Sequence, residues 1–375
     1  METKLSVVVC LLGVAGCVTE ENVELGPVEV EARLARDRAN DTAAEEERAV
    51  ASIAAAEIDV SDVELMARIA LPNNVPFGNG QGWSATWSED GSIDLGNVFF
   101  ESFGTNERTC GSCHQIGQGW TISAAKTRVL FELTRGLHPL FRTNDGANSP
   151  NADVSTVSAR RAAYSMLLSR GTIRIGIGMP AGAEFELIAV DDPYGHASAA
   201  ELSLFRRPLP AANLPFIKQV MWDGRVTGQT IDAALAEQAN VATMGHAAAI
   251  GPLTSDVRDT IVGFETALFD AQIYLHGAGR LDTGGGRGGP EALATQELIA
   301  GRFDLFDAYA NSSNAKRRSI FRGQELFNTK TRQTGGTCLS CHSAKNVGTN
   351  VNGRMFNIGV SAGSRRAADQ PLYTL

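Results

Sequence analysis

Cys110-Gly111-Ser112-Cys113-His114 and Cys338-Leu339-Ser340-Cys341-His342 are two copies of one pattern, C-x-x-C-H. This is the spacing for covalent attachment of a c-type haem. Two thiols one helical turn apart add to the two vinyl groups of a porphyrin, and the imidazole that follows binds the iron axially. The pair predicts a mainly α protein of two small haem domains. A zinc ribbon also pairs C-x-x-C motifs, but about 15–20 residues apart. Here the copies lie 228 positions apart. A thioredoxin-like site wants one motif beside a βαβ pattern, and neither copy has that neighbourhood. Structural zinc and disulfides stand as the alternatives to haem.

Four of the six cysteines belong to the two motifs. The other two, Cys10 and Cys17, fall in an N-terminal apolar stretch, so no thiol is spare for a structural disulfide. That stretch reads as an export signal over residues 1–16, with Lys4 as its positive start and an apolar core, Leu5 to Ala15, too short to span a bilayer. It closes on Val14-Ala15-Gly16-Cys17, which resembles a bacterial lipobox. The resemblance implies cleavage before Cys17, lipidation of its thiol and a periplasmic protein anchored to a bacterial membrane, the outer one expected. An ordinary secretory signal is the alternative.

Residues 17–60 are rich in Glu, Asp and Ala and poor in aromatics, with acidic clusters such as Glu45-Glu46-Glu47. Such composition buries too little apolar surface to offset its ordering entropy, and predicts a solvated tether. The formal net charge of −9 argues against nucleic acid as a partner. It suits a basic redox donor protein.

An internal repeat accompanies the motifs. Gly96-Asn97-Val98-Phe99-Phe100 stands ten residues before Cys110, and Gly323-Gln324-Glu325-Leu326-Phe327 stands eleven before Cys338. Each reads as a short helix ending in bulky apolar residues, then a loop, then the motif. The expected organisation is therefore an N-terminal haem domain over 61–280 and a C-terminal one over 281–375.

Beyond the motifs, the chain carries Leu95 to Phe103, Arg206-Arg207-Pro208 with Asn213, Met221-Trp222-Asp223-Gly224-Arg225 and Leu235-Ala236-Glu237-Gln238-Ala239. Arg322 to Phe327 and Phe356-Asn357-Ile358-Gly359 flank the second motif. In this order the segments resemble the bacterial di-haem cytochrome c peroxidases, a family that includes quinone-cofactor maturases. The resemblance covers most of residues 90–360. It implies two covalently bound haem c groups with Cys110, Cys113, Cys338 and Cys341 as attachment points and His114 and His342 as axial ligands. It further implies hydrogen peroxide reduction at the first haem, electrons arriving through the second from a small cytochrome or cupredoxin-like donor, Trp222 between the haems, and calcium at the domain interface.

Three departures qualify this. The family's distal acid–base Glu follows the L-x-x-Q-A stretch, yet Asn240 to Ser255 contains no Glu or Asp. Since O–O cleavage needs a positioned proton carrier, Gln238, Thr243 or His246 must substitute. The distal ligand of the first haem is open between His246, in Met244-Gly245-His246, and His138, in Leu137-His138-Pro139. The second haem's Met ligand lies far downstream in the family, whereas here Met355 is the one Met after His342. The second domain thus reads as C-terminally incomplete, with the ligand and closing helix expected beyond Leu375.

Two further readings concern the long middle. Thr172 to Ile177 and Glu184 to Val190 alternate like strands around Pro180-Ala181-Gly182, predicting a β-hairpin inserted in the first domain. Val257, Ile261, Phe264 and Leu268 keep helical spacing. The Gly-rich stretch 277–289 lacks the G-K-[ST] ending of a phosphate loop and reads as a linker. The leading expectation is a di-haem peroxidase with Trp222, Gln238 and His246 as catalytic residues. A non-catalytic electron carrier and a maturase-like oxidant of a partner protein are the alternatives.

Overall fold

The computed structural model describes residues 70–296, 298–299, 301–331, 336–344 and 363–375. All of them belong to one compact unit, Ala49–Leu375. The export signal 1–16, Cys17, the tether 17–60, Met355 and residues 356–359 lie outside the described residues.

In chain order the described strands are β1 (Ala70–Pro72), β2 (Pro76–Asn79), β3 (Gly82–Ser88), β4 (Ser92–Asp94), β5 (Ile173–Ile177), β6 (Ala189–Asp191), β7 (Leu202–Arg206), β8 (Leu268–Leu275), β9 (Gly279–Arg280) and β10 (Leu372–Thr374). The described α-helices are α1 (Ala124–Thr134), α2 (Val157–Ala163), α3 (Ser165–Arg170), α4 (Ile231–His246), α5 (Ser255–Thr266), α6 (Pro290–Thr295) and α7 (Ala315–Thr329).

The largest sheet is antiparallel in the order β2-β3-β8-β9. Its main seam joins segments 180 or more positions apart, from Ser88↔Leu268 to Gly82↔Leu275. Both strands carry the aromatic and β-branched residues that fit a pleated surface. Cross-strand pairs Trp83–Tyr274 and Trp87–Phe269 stack at 4.5 and 6.2 Å between ring centroids. With helix at 34% and strand at 17% of the described residues, in several sheets, this is not the expected mainly α fold of two cytochrome c-like domains. The repeat around the motifs is local, and strands before and after its first copy pair over long range instead.

Two local expectations also change. β5 pairs antiparallel with β7, Ile173↔Arg206 to Ile177↔Leu202, and not with Glu184 to Val190. A turn does form, with Ala183 N–H donating to the Pro180 carbonyl and Gly182 in the left-handed region. The chain after it leaves Phe185 and Ile188 exposed and runs on to β6, which pairs with β10. β7 wins because its apolar alternation meets that of β5, and because buried Arg174 bonds Glu201 just ahead of it at 2.7 Å. Likewise α5 stops at Thr266, and Leu268 opens β8.

α4 and α5 pack on one another and frame the site. Thr230 caps α4 by accepting from Ala233 N–H at 3.1 Å, and Thr254 caps α5 through Val257. Phe99, Trp120, Ile261, Phe264 and Leu268 form one core beneath them. Phe131, Leu140, Phe141, Tyr164 and Leu167 form a second under α1 and α3. The 277–289 stretch is fastened: Arg317 on α7 donates to the Ala278 and Arg280 carbonyls at 2.9 and 3.0 Å. Tyr309 Oη donates to the Leu281 and Thr283 carbonyls. A Cβ on Gly286 would sit 2.4 Å from that oxygen, so this glycine makes the contact possible.

Candidate functional site

The first motif forms a 3₁₀ turn, Cys110–Ser112, closed by a capping box between Thr109 and Ser112. The Cys110 carbonyl accepts from both Cys113 N–H and His114 N–H, at 3.1 and 2.9 Å. The turn thus presents both thiols and the imidazole to one cavity of about 420 Å³. α4 lines it with Gln238, Ala239, Ala242, Thr243 and His246. Phe99, Ile173, Ile175, Leu214 and Ile261 supply apolar wall, and Trp222, Arg206 and Arg225 also border it.

His114 Nδ1 lies 3.0 Å from the Trp120 carbonyl, a partner that accepts, so Nδ1 carries the hydrogen. That carbonyl is aimed by an unusual backbone, with Trp120 at φ +59°, a region bulky residues avoid. The indole is pinned in place: Nε1 donates to Thr86 Oγ1 at 2.9 Å, and Thr86 donates to Asp270 at 2.8 Å. Burial lowers the proton affinity of His114 below the ordinary imidazole value, against the pull of the Trp120 and Leu209 carbonyls. A neutral ring is the form that ligates metals.

Both cysteines are free of disulfide. Burial, with the nearby Glu265 carboxyl, pushes the Cys110 thiol up to about 12. Burial pushes Cys113 up to about 11, with Arg108 working against it. Thiols so held stay protonated at neutral pH. Two protonated thiols, a neutral imidazole and apolar walls are the donor set that fits a c-type haem.

His246 ends α4, and Nδ1 bonds Asp145 Oδ2. Asp145 is 4% exposed, and its other oxygen accepts from Arg108 Nη1. Arg108 is 2% exposed and spends its remaining donors on the Pro139 and Leu140 carbonyls at 2.8 and 2.7 Å and on the His246 carbonyl at 3.2 Å. Burial alone would raise Asp145, but the Arg108 charge and the His246 bond hold it below the usual carboxylate range. An ionised carboxylate only accepts, so His246 Nδ1 carries the hydrogen. Asn106 and Asn144 also bond the His246 carbonyl, at 2.8 and 3.2 Å. Close approach is built in at Gly104, where a Cβ would sit 1.7 Å from the Ala247 carbonyl oxygen.

The cavity therefore brings together Cys110, Cys113, His114, Trp222, Gln238 and His246. Trp222 is 54% exposed and donates from Nε1 to the Arg207 carbonyl at 2.7 Å, at the cavity's border and not in a core. His138 is not among the cavity-lining residues; its Nδ1 accepts from Leu140 N–H at 3.1 Å in the loop behind Arg108. The second motif repeats the first in backbone, a 3₁₀ turn Cys338–Ser340 with the Cys338 carbonyl accepting from His342 N–H at 3.0 Å. The aromatic partner repeats too: Phe327 lies 5.9 Å from His342, as Phe99 lies 6.2 Å from His114. For the expected calcium, no cluster of three or more His, Cys, Asp or Glu side chains suited to a metal ion occurs among the described residues. No helix among them is long and apolar enough to cross a membrane.

Sequence reasoning missed four residues of this site. Arg108 stands two positions before Cys110 without a motif of its own, and Asp145 sits in a turn-like Asn-Asp-Gly stretch. Trp120 gave no signal. Glu265 did: it is a carboxylate on the apolar face of α5, next to Phe264 and four residues from Ile261. No family profile, curated protein or solved structure matches the chain.

Burial pushes Glu265 up to about 8 and Asp270 up to about 7. Their ordinary values lie near 4, so between roughly pH 4 and 8 the folded chain holds protons that the unfolded chain has released. Their contribution to stability is complete below about pH 4 and is lost as pH rises through their folded values. His114 and His138, whose proton affinity is lowered, act in the opposite sense near pH 6.5. The clean measure is the difference between wild type and Glu265→Gln in urea. Each tenfold change in proton affinity is worth about 1.4 kcal/mol, so wild type should lose a few kcal/mol relative to the variant between pH 5 and 8.5. A constant difference would show that Glu265 titrates normally.

Proposed function

We propose that this chain is a c-type haem redox protein that reduces hydrogen peroxide, taking electrons from a small cytochrome or cupredoxin-like donor. The observation that carries the reading is the convergence of Cys110, Cys113 and His114 with an Asp145-anchored His246 on one apolar cavity. Haem bound there supplies the electron transfer and O–O cleavage chemistry.

The chain's own residues do the rest. The Cys110 and Cys113 thiols would hold the haem covalently, and His114, oriented by the Trp120 carbonyl, would ligate its iron. Reduction of H₂O₂ to two waters takes up two electrons and two protons, and one proton must pass between the peroxide oxygens. His246, its Nδ1 committed to Asp145, keeps Nε2 for that transfer. Gln238 and Thr243 on the same wall of α4 add donors for the peroxide oxygens. Trp222, exposed at the border, is the aromatic side chain through which electrons would enter this cavity. Lipidation at Cys17 would keep the protein at a periplasmic membrane surface.

The test is expression in a host that matures c-type haem, followed by peroxide addition with a reduced cytochrome donor. Peroxide-dependent donor oxidation that falls about 10²–10⁴-fold in His246→Ala is expected. Haem-loaded protein that leaves the donor reduced would sink the peroxidase reading. If His246→Ala then changed the haem spectrum from six- to five-coordinate, His246 would be an axial ligand of an electron carrier.

A further inference from the structure

The cavity holds one group that the proposed chemistry does not yet use. Glu265 is 7% exposed and lines the cavity, yet its carboxyl has no hydrogen bond or ion pair among the described residues. This is not what its surroundings offer by default. The next residue, Thr266, turns its hydroxyl back onto the Val262 carbonyl of its own helix at 2.7 Å. Asp145, equally buried, is ionised because Arg108 and His246 face it. Glu265 has neither device; it is buried on α5 with Ile261 and Phe264, and its carboxyl acts on the Cys110 thiol. A buried polar group without a partner is costly, and a carboxylic acid on an apolar helix face is not retained for packing. Such a group in a cleft is kept for something that enters the cleft.

We propose that Glu265 is a ligand-contacting acid of this cavity, donating its carboxyl proton in a hydrogen bond to a small, uncharged, oxygen-bearing ligand that enters beside Cys110. The inference deepens the peroxide reading and rests on it. Two features select that ligand class. Glu265 is buried on α5 with the core residues Ile261 and Phe264, so an ion drawn to it would lose its hydration. The carboxyl is uncharged at neutral pH, being pushed up to about 8, so it offers a donor without attracting a counter-ion. Hydrogen peroxide has this chemistry, and carbon monoxide is a non-reacting probe of the same position.

The experiment uses the haem-loaded protein, reduced and exposed to carbon monoxide, compared with Glu265→Gln and Glu265→Leu. In wild type, infrared difference spectra on photolysis of the adduct should show the carbonyl band of a protonated carboxyl changing, a band absent from both variants. The C–O stretch should move in Glu265→Leu, and the rate constant for peroxide should fall at least about tenfold. Glu265→Leu should also unfold at a higher temperature than wild type, because it removes a carboxyl that burial desolvates. An adduct whose carboxyl region is silent, with the same C–O stretch in all three proteins, overturns the role of Glu265 alone. Haem-loaded protein that forms no adduct overturns the peroxide reading and this inference together. The wild-type carboxyl band needs no variant, so the result stands even if one variant fails to fold.

Discussion

Replacing Asp145 with asparagine is expected to lower folding stability by about 3–5 kcal/mol, the range seen when one member of a buried ion pair is removed. Arg108 is the reason. It is 2% exposed, always charged, and Asp145 is the only carboxylate bonded to it among the described residues. Three backbone carbonyls can hydrogen-bond the guanidinium but cannot neutralise it. The contribution of Asp145 should hold at pH above about 4, where the unfolded chain's carboxylate is ionised. It should fade as pH drops through the lower folded value. Urea unfolding at pH 7 and pH 3 checks both statements, and equal loss at the two pH values would refute the ion-pair account. A second variant separates the electrostatic role from the positioning one. Arg108→Met with Asp145→Leu removes both charges together and should recover most of the stability, since apolar replacement of a buried pair is often neutral. It leaves His246 without its Nδ1 acceptor, so peroxide turnover should stay low and the pH profile of turnover should change. Recovery of stability and turnover together would reduce Asp145 to a packing role.

The parts of this architecture that were legible in the sequence are those whose chemistry is local. C-x-x-C-H declares itself because three reacting groups lie on one turn, and the backbone of both copies is the same 3₁₀ turn. The stretch carrying Gln238 and His246 is a single capped helix, so its cavity face follows from spacing. The sheet is a different matter. Thr86 and Asp270, which together hold Trp120 in place, are 184 positions apart, and no periodicity announces that partnership. The hairpin expectation failed for the same reason: Ile173 to Ile177 offers a strand face to any complementary neighbour, and the better one lay past the adjacent turn. Arg108 and Asp145, 37 positions apart, are likewise joined only by the fold. Glu265 alone was readable in advance, as a carboxylate where the helix called for an apolar residue. The site is therefore a local motif completed by remote polar anchors, and the anchors give it a direction: an imidazole oriented from behind, and a carboxyl left free.

The second large effect concerns the motifs themselves. Cys110→Ala with Cys113→Ala should remove covalently bound haem from the first site, and Cys338→Ala with Cys341→Ala should remove it from the second. Each double variant should show about half the pyridine haemochrome absorbance per chain, and the quadruple variant none in a haem-stained denaturing gel. The two losses should differ in consequence. At the first motif the thiols open onto the Phe99, Ile261 and Leu214 walls, so an unfilled cavity of about 420 Å³ removes packing from both sides. The first double variant should therefore unfold at a lower temperature and lose peroxide turnover outright. The second should keep a ligand-binding first haem but lose electron delivery, so that peroxide is consumed only as long as reductant can reach the first site directly. A small artificial reductant added in excess would then restore turnover to the second variant and not to the first. If the wild-type chain matured alongside carried no covalent haem at all, the cysteines would be serving structural zinc or disulfides after all. If both lost turnover equally and neither responded to the reductant, the two motifs would form one cooperative centre and the division of labour argued from the first cavity would be wrong.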